Sequence, residues 1–157
     1  MPIVTPGTFT PAALATEIST DPIAMGYAAA AGNPADVALL LNQVPEPAGV
    51  TGGQEQIYKG YLPTEDAAAA VVAAEYTALT AANKALWTDL VMRAGPKGIR
   101  SGDANMRATV AGIFGGATTS RANLIAISSR LCSRAEAKWG EGFRVTDQQV
   151  ATALGQV

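Results

Sequence analysis

Hydrophobic positions along this chain come in short runs with helical spacing, separated by prolines, glycines and polar caps. Leu14 and Ile18 lie four residues apart behind Thr10-Pro11. A threonine can cap a helix and proline is tolerated at the first helical position, so a helix is predicted from Pro11 to about Ser19. The same cap-proline device at Asp21-Pro22 predicts a helix from Ile23 to Ala30, and at Asn33-Pro34 one from Ala35 to Leu41. Ahead of them residues 1–9, with Pro2, Pro6 and Gly7, read as an extended arm.

The periodicity lapses over residues 43–63, where Pro45, Pro47, Gly49, Gly52, Gly53 and Gly60 break any repeat. A loop of about twenty residues is long for a compact domain, and such loops are usually functional or disordered. A short hairpin turning at Thr51-Gly52-Gly53-Gln54 is the alternative there. Beyond it, Thr64 is expected to cap a helix with Glu65 and Asp66 in its first turn, running through Val71, Val72 and Tyr76 to about Ala78. Thr80 caps a helix whose Leu86, Trp87, Leu90 and Val91 form one buried stripe, ended by Gly95-Pro96. A helix from Asp103 presents Met106, Val110, Ile113 and Phe114, and Ser120 caps a helix holding Leu124, Ile127 and Leu131. Ser133 with Glu136, and Thr146 with Gln149, have capping-box spacing, the first before a helix with Trp139 and the second before Val150 and Leu154.

No alternating strand pattern of any length interrupts this series. The expected class is all-α, a bundle of about seven to eight short helices. It forms a single helical domain over residues 10–157, with the loop 43–63 inserted and the arm 1–9 in front. The hydrophobic fraction of 48% is enough for a core, but much of it is alanine, which buries little area per residue, so the core is thin. A charged fraction of 15% is low for a subunit that stays soluble alone, which suggests surface covered in an assembly. The net charge of −2 gives no overall attraction to nucleic acid or anionic lipid. Residues 1–8 do not have the pattern of a signal peptide, and Ala67 to Ala74, the longest apolar run, is too short to span a bilayer.

Candidate chemistry is sparse. The chain has no histidine, which removes the usual general base and most metal sites, and one cysteine, which excludes thiolate zinc sites and an internal disulfide. Arg130 and Arg134 could lower the pKa of Cys132 but cannot accept its proton. Glu65 with Asp66, and Glu136 with Glu141, stand where helix capping already favours acids. Gly52-Gly53 and Gly115-Gly116 lack the lysine of a phosphate loop and read as turns. No catalytic residue, metal ligand or cofactor is therefore expected.

Arg121, Arg130, Arg134, Lys138 and Arg144 bias the C-terminal half towards positive charge, diluted by Glu136, Glu141 and Asp147. They read as a solvated face, with contact to phosphates or to an acidic partner as the alternative. Trp87 and Trp139 have the spacing of core residues. Tyr58, Lys59 and Tyr61 sit in the long loop, where exposed tyrosines are common contact residues, and with Arg130 and Arg134 they are the expected protein interface.

Two sets of residues carry a resemblance. The first is Glu17-Ile18-Ser19-Thr20-Asp21-Pro22, then Gly26-Tyr27-Ala28 and Leu40-Leu41-Asn42. The second is Glu75-Tyr76, Leu79-Thr80, Leu86-Trp87, Phe114 and Ser133-Arg134-Ala135-Glu136, with Gly140, Gly142, Val145-Thr146 and Ala153-Leu154. Across most of residues 14–154 the chain resembles small proteins encoded in the structural-gene clusters of tailed bacteriophages. The arm and the Pro/Gly-rich loop depart from that pattern. The resemblance implies a virion protein assembled in the host cytoplasm, above all a head-tail adaptor forming a homo-oligomeric ring between portal and tail. It implies partners among the portal and the tail or neck proteins, no membrane, and no specific nucleic acid beyond passive contact with packaged DNA. A capsid-associated or tail accessory protein is the alternative within that class, and a small helical nucleic-acid-binding or regulatory module the alternative outside it.

Overall fold

The computed structural model describes residues 2–156. Met1 and Val157, the ends of the expected arm and helical domain, lie outside the described residues. The chain is mostly helical, with ten helices and one small two-stranded sheet among the described residues. Within the span expected as one helical domain, contacts gather into two compact units. Unit 1 comprises residues 1–57 and 131–157, and unit 2 comprises residues 58–130. The chain passes between them within β1 (Gln56–Tyr58) and β2 (Ser129–Leu131), which pair with each other.

Unit 1 begins with residues 3–9, which are not helical and run along their own unit. The Val4 N–H donates to the Gln56 carbonyl (2.9 Å), and the Gly7 N–H donates to the Lys138 carbonyl (2.8 Å). Helix α1 (Pro11–Thr20) starts as predicted, Thr10 Oγ1 accepting from the Ala13 N–H at 3.0 Å. The second cap-proline pair does something different from the prediction. Asp21 ends α1 in the left-handed region, and its carboxylate accepts from the N–H groups of Met25 (2.6 Å), Gly26 (2.8 Å) and Tyr27 (3.3 Å). This local ring of bonds competes with helix, so α2 is only Tyr27–Ala30 and does not begin at Ile23. Helix α3 (Pro34–Asn42) starts where predicted, with Asn33 Oδ1 accepting from the Ala35 N–H. Both capping boxes are present, before α9 (Arg134–Trp139) and α10 (Asp147–Ala153). Leu14, Tyr27, Val37, Leu41 and Val150 are fully buried in the core. Phe9 closes one side, its ring 5.3 Å from Trp139 and edge-on to it.

Unit 2 also departs from the predicted helices. The single helix expected from Thr64 to Ala78 is two, α4 (Thr64–Ala70) and α5 (Ala73–Ala78), broken at Val71 and Val72 in extended conformation. Thr64 is the first residue of α4 and not its cap, which falls on Pro63 with no side-chain bond. The β-branched pair disfavours helix slightly, and the backbone at the break finds tertiary partners. The Val72 N–H donates to Ser120 Oγ (2.9 Å), and the Ala70 carbonyl accepts from Asn123 Nδ2 (3.1 Å). Helix α6 (Ala81–Arg93) is capped by Thr80 as predicted, yet of its expected stripe only Trp87 is buried, and Leu86 is 51% exposed.

Asp103 caps α7 (Ala104–Ile113). Ser120, expected to cap the next helix, instead lies buried inside α8 (Thr118–Ser128). The N-terminal amides of α8 are taken by a carboxylate from α5: Glu75 accepts from the N–H groups of Thr119 (3.1 Å) and Ser120 (2.7 Å). The helix ends at Ser128 rather than Leu131, because residues 129–131 form β2. The hairpin considered for the long loop is therefore not local. A turn forms at Val50–Gly53, but β1 pairs with residues 129–131. Gly98 sits at φ +92°, where a Cβ would come within 2.1 Å of the Leu62 carbonyl oxygen. Its lack of a side chain lets residues 62 and 99 bridge in antiparallel fashion.

Candidate functional site

In unit 2 a cleft of about 250 Å³ opens beside α7 and α8. The two helices follow each other in sequence but make little contact, since α7 packs on α6 and α8 on α4. Leu62, Trp87, Ile99 and Leu124 are buried at its floor. Met106, Val110 and Ala111 of α7 form part of its wall, with Arg121 and Ile125 of α8. The 3.6-residue period explains the grouping, because Arg121, Leu124, Ile125 and Ser128 share one helix face, as do Met106, Arg107, Val110 and Ala111.

Arg107 is the best-fixed polar group of the cleft. Its guanidinium lies 4.1 Å over the Tyr58 ring, and Nη1 donates to the carbonyls of Ser101 (3.0 Å) and Gly102 (2.8 Å). The hydroxyls of the lining serines are used internally: Ser101 Oγ donates to the Lys59 carbonyl (2.6 Å) and Ser128 Oγ to the Ile125 carbonyl (3.0 Å). Asp103, at the start of α7, is held below the usual carboxylate range by the Met106 N–H, then by the Asn105 N–H, with smaller help from Arg100 and Arg107.

The expected interface residues separate. Tyr58 lines the cleft under Arg107, and Lys59 is half-buried beside it with its N–H donating to the Ser128 carbonyl (2.8 Å). Tyr61 is 42% exposed, with Lys97 Nζ 5.7 Å from its ring centre. Arg130 is half-buried in β2. Arg134 is different: it lies in unit 1, 4% exposed, and its partners are internal, which corrects its reading as part of a solvated face. Sequence reasoning missed Arg107 altogether and treated Arg121 only as one charge among several. A cation set among apolar residues of one helix face, as in Met106-Arg107…Val110-Ala111, was the available signal.

Arg134 anchors a buried ion cluster in unit 1. Its Nε and Nη2 donate to Glu17 (2.6 and 3.2 Å), and Nη1 donates to Glu55 Oε2 (2.7 Å). Lys138 Nζ reaches Glu17 from the other side (3.2 Å). Burial works against the guanidinium charge, but the hydrogen bonds and charge of Glu17, then the charge of Glu55, outweigh it and hold its pKa above the ordinary value. Glu46 lies close by, with Oε2 accepting from the Glu55 N–H (2.7 Å). Its Oε1 is buried without a hydrogen-bond partner, as is the Tyr27 hydroxyl. Burial raises the pKa of both groups. Cys132 is fully buried, its thiol donating to the Glu55 carbonyl (3.4 Å).

This cluster ties α1 to α9 with charge-assisted bonds. The cleft can hold an apolar group and can present cations to an anion. Among the described residues no group of three or more histidine, cysteine or acidic side chains is arranged to hold a metal ion, and no helix is long and apolar enough to cross a membrane. Comparison of the chain with protein-family models, with curated proteins and with solved structures finds no match in any of the three.

Proposed function

We propose that the chain is a structural, non-catalytic subunit of a tailed-bacteriophage particle, acting in the neck as an adaptor ring between portal and tail. The observation that carries the structural part of this reading is the set of large apolar side chains left outside the cores of both units. Leu39 is 68% exposed and Val44 52% in unit 1, and Met92 is 80% exposed in unit 2. A single exposed apolar side chain is ordinary. Several of them on a thin, alanine-rich chain with few charges suit surfaces that neighbouring subunits cover. The placement in the neck rests on the resemblance to phage structural proteins that the sequence carries over most of residues 14–154, outside the loop 43–63.

Two measurements test this. Light scattering on the purified chain is expected to give a ring-sized species that Leu39→Asp or Met92→Asp dissociates, and the chain is expected to sediment with purified particles. A monomer that stays out of particles overturns the proposal. A monomer whose DNA affinity falls steeply with salt points to the nucleic-acid-binding module instead.

A further inference from the structure

We infer that the cleft beside α7 and α8 is a docking site for a segment of a partner protein that presents one large apolar side chain flanked by a carboxylate. The inference goes beyond the adaptor proposal and does not depend on it.

Size limits the occupant. Sites for whole small molecules begin at roughly 300 Å³, and this cleft holds about 250 Å³. That suits a single anchoring side chain, the arrangement in which a few buried residues carry most of an interface's energy. The floor of Leu62, Trp87, Ile99 and Leu124 is apolar and already withdrawn from water. Ile125, 38% exposed, carries apolar surface outward from the lining. Because α7 and α8 pack on different helices, the space between them is built into the unit and does not require helices to part.

Charge selects among apolar occupants. No aspartate or glutamate lines the cleft, whereas two arginines do. Among the described residues neither Arg107 nor Arg121 has a carboxylate within ion-pair distance. The nearby acid, Asp103, is occupied with the first N–H groups of α7. With the serine hydroxyls also engaged, the guanidiniums are the main polar handles offered to an occupant. Arg107 is fixed in advance by the Tyr58 ring and two carbonyls, so little side-chain freedom is lost on binding. A guanidinium recognises a carboxylate through paired N–H donors, and partial desolvation at the mouth strengthens that bond. A wholly apolar occupant would give neither guanidinium a carboxylate, and a polar one would waste the floor.

The test uses the full chain and two blocked peptides. Acetyl-Glu-Leu-Phe-Glu-amide carries the proposed chemistry, and acetyl-Gln-Leu-Phe-Gln-amide lacks the charge. Titration followed by amide NMR is expected to shift residues of α7 and α8 with the acidic peptide. Its affinity should exceed that of the neutral peptide by about tenfold, the scale of one charge-assisted bond. Arg121→Gln, an exposed change that leaves the core intact, should reduce that difference, leaving the share carried by Arg107. Ala111→Phe, which fills the cleft, should abolish binding of both peptides. Equal affinity for the two peptides, shifts confined to other surfaces, or no binding by either overturns the inference. So do shifts of α7 and α8 on concentrating the chain alone, which would make a second copy the occupant. No particle enters the assay, so failure here leaves the adaptor proposal standing, and failure of that proposal leaves this result readable.

Discussion

In unit 1, Leu14, Tyr27, Val37, Leu41 and Val150 lose all contact with solvent, and the Arg134 guanidinium is buried with the Glu17 carboxylate and reaches the half-buried Glu55. In unit 2, α5 buries no side chain, α6 buries only Trp87, and an apolar cleft stays open beside α7 and α8. Both units are built on alanine-rich helices, so the difference lies in how each compensates for the little area that alanine removes from water. Unit 1 concentrates large side chains and adds one buried charge cluster spanning 117 residues of sequence. Unit 2 has no such cluster among the described residues and multiplies a device that unit 1 uses at Asn42 and Val145, side chains that satisfy backbone groups of other elements: Glu75 on the start of α8, Ser120 on Val72, Asn123 on Ala70 and Asn83 on Ile113. The first device depends on a single residue, and the second is spread over several.

The comparison breaks most sharply at Arg134. Arg134→Ala leaves Glu17 buried with only the half-exposed Lys138 as cation, and removing one partner of a buried pair typically costs about 3–5 kcal/mol. Urea denaturation should show that loss, with faster amide exchange in α1 and α9. A loss below about 1 kcal/mol would mean that the cluster is not what holds these helices together. In unit 2 the corresponding change is Leu124→Ala. Leucine truncations cost about 2–5 kcal/mol, and a residue at the floor of an open cleft should fall near the lower end because water can fill the gap. A cost as large as that of Arg134→Ala would mean that the cleft floor is as tightly packed as the core of unit 1.

Much of this was legible in the sequence, and the reasons for the rest are local. Thr10-Pro11, Asn33-Pro34, Thr80, Asp103 and both capping boxes acted as their chemistry predicts, because an N-cap needs only a side chain and amides two or three residues on. Asp21 and Ser120 are equally good caps by composition, but each was claimed by something the sequence does not show. Asp21 satisfies three amides of a turn, and Ser120 serves a backbone break 48 residues away. Strand β1 was hidden for a similar reason: three residues carry no readable period, and their partner lies some seventy positions further on. Of the expected interface residues, Tyr58, chosen as a loop tyrosine, lines the cleft, whereas Arg134, chosen for its charge, is buried because Glu17 and Glu55 reach it from distant segments.

The finest difference between the units is in how they respond to acid. Burial raises the pKa of Glu46 in unit 1, so between the ordinary carboxylate range and that raised value the folded chain binds more protons than the unfolded one. Stability therefore falls as pH rises through this window, and lowering the pH from neutral relieves the cost. In unit 2 the Ser120 hydroxyl, then the Ser120 N–H, hold Glu75 below its ordinary value, and Asp103 is lowered by the Met106 and Asn105 N–H groups. For these the unfolded chain binds more protons, so their contribution is complete above the ordinary carboxylate range and is lost as pH falls through the lowered values. Acidification should first increase amide protection in unit 1 and then, at lower pH, decrease it at the starts of α7 and α8. Glu46→Gln, whose amide oxygen can still accept from the Glu55 N–H, should remove the first change alone, and Glu75→Gln should flatten the second at α8 alone. If either variant keeps the pH profile of the parent chain, the carboxyl it replaces is not the group being titrated, and the two units do not differ in this way.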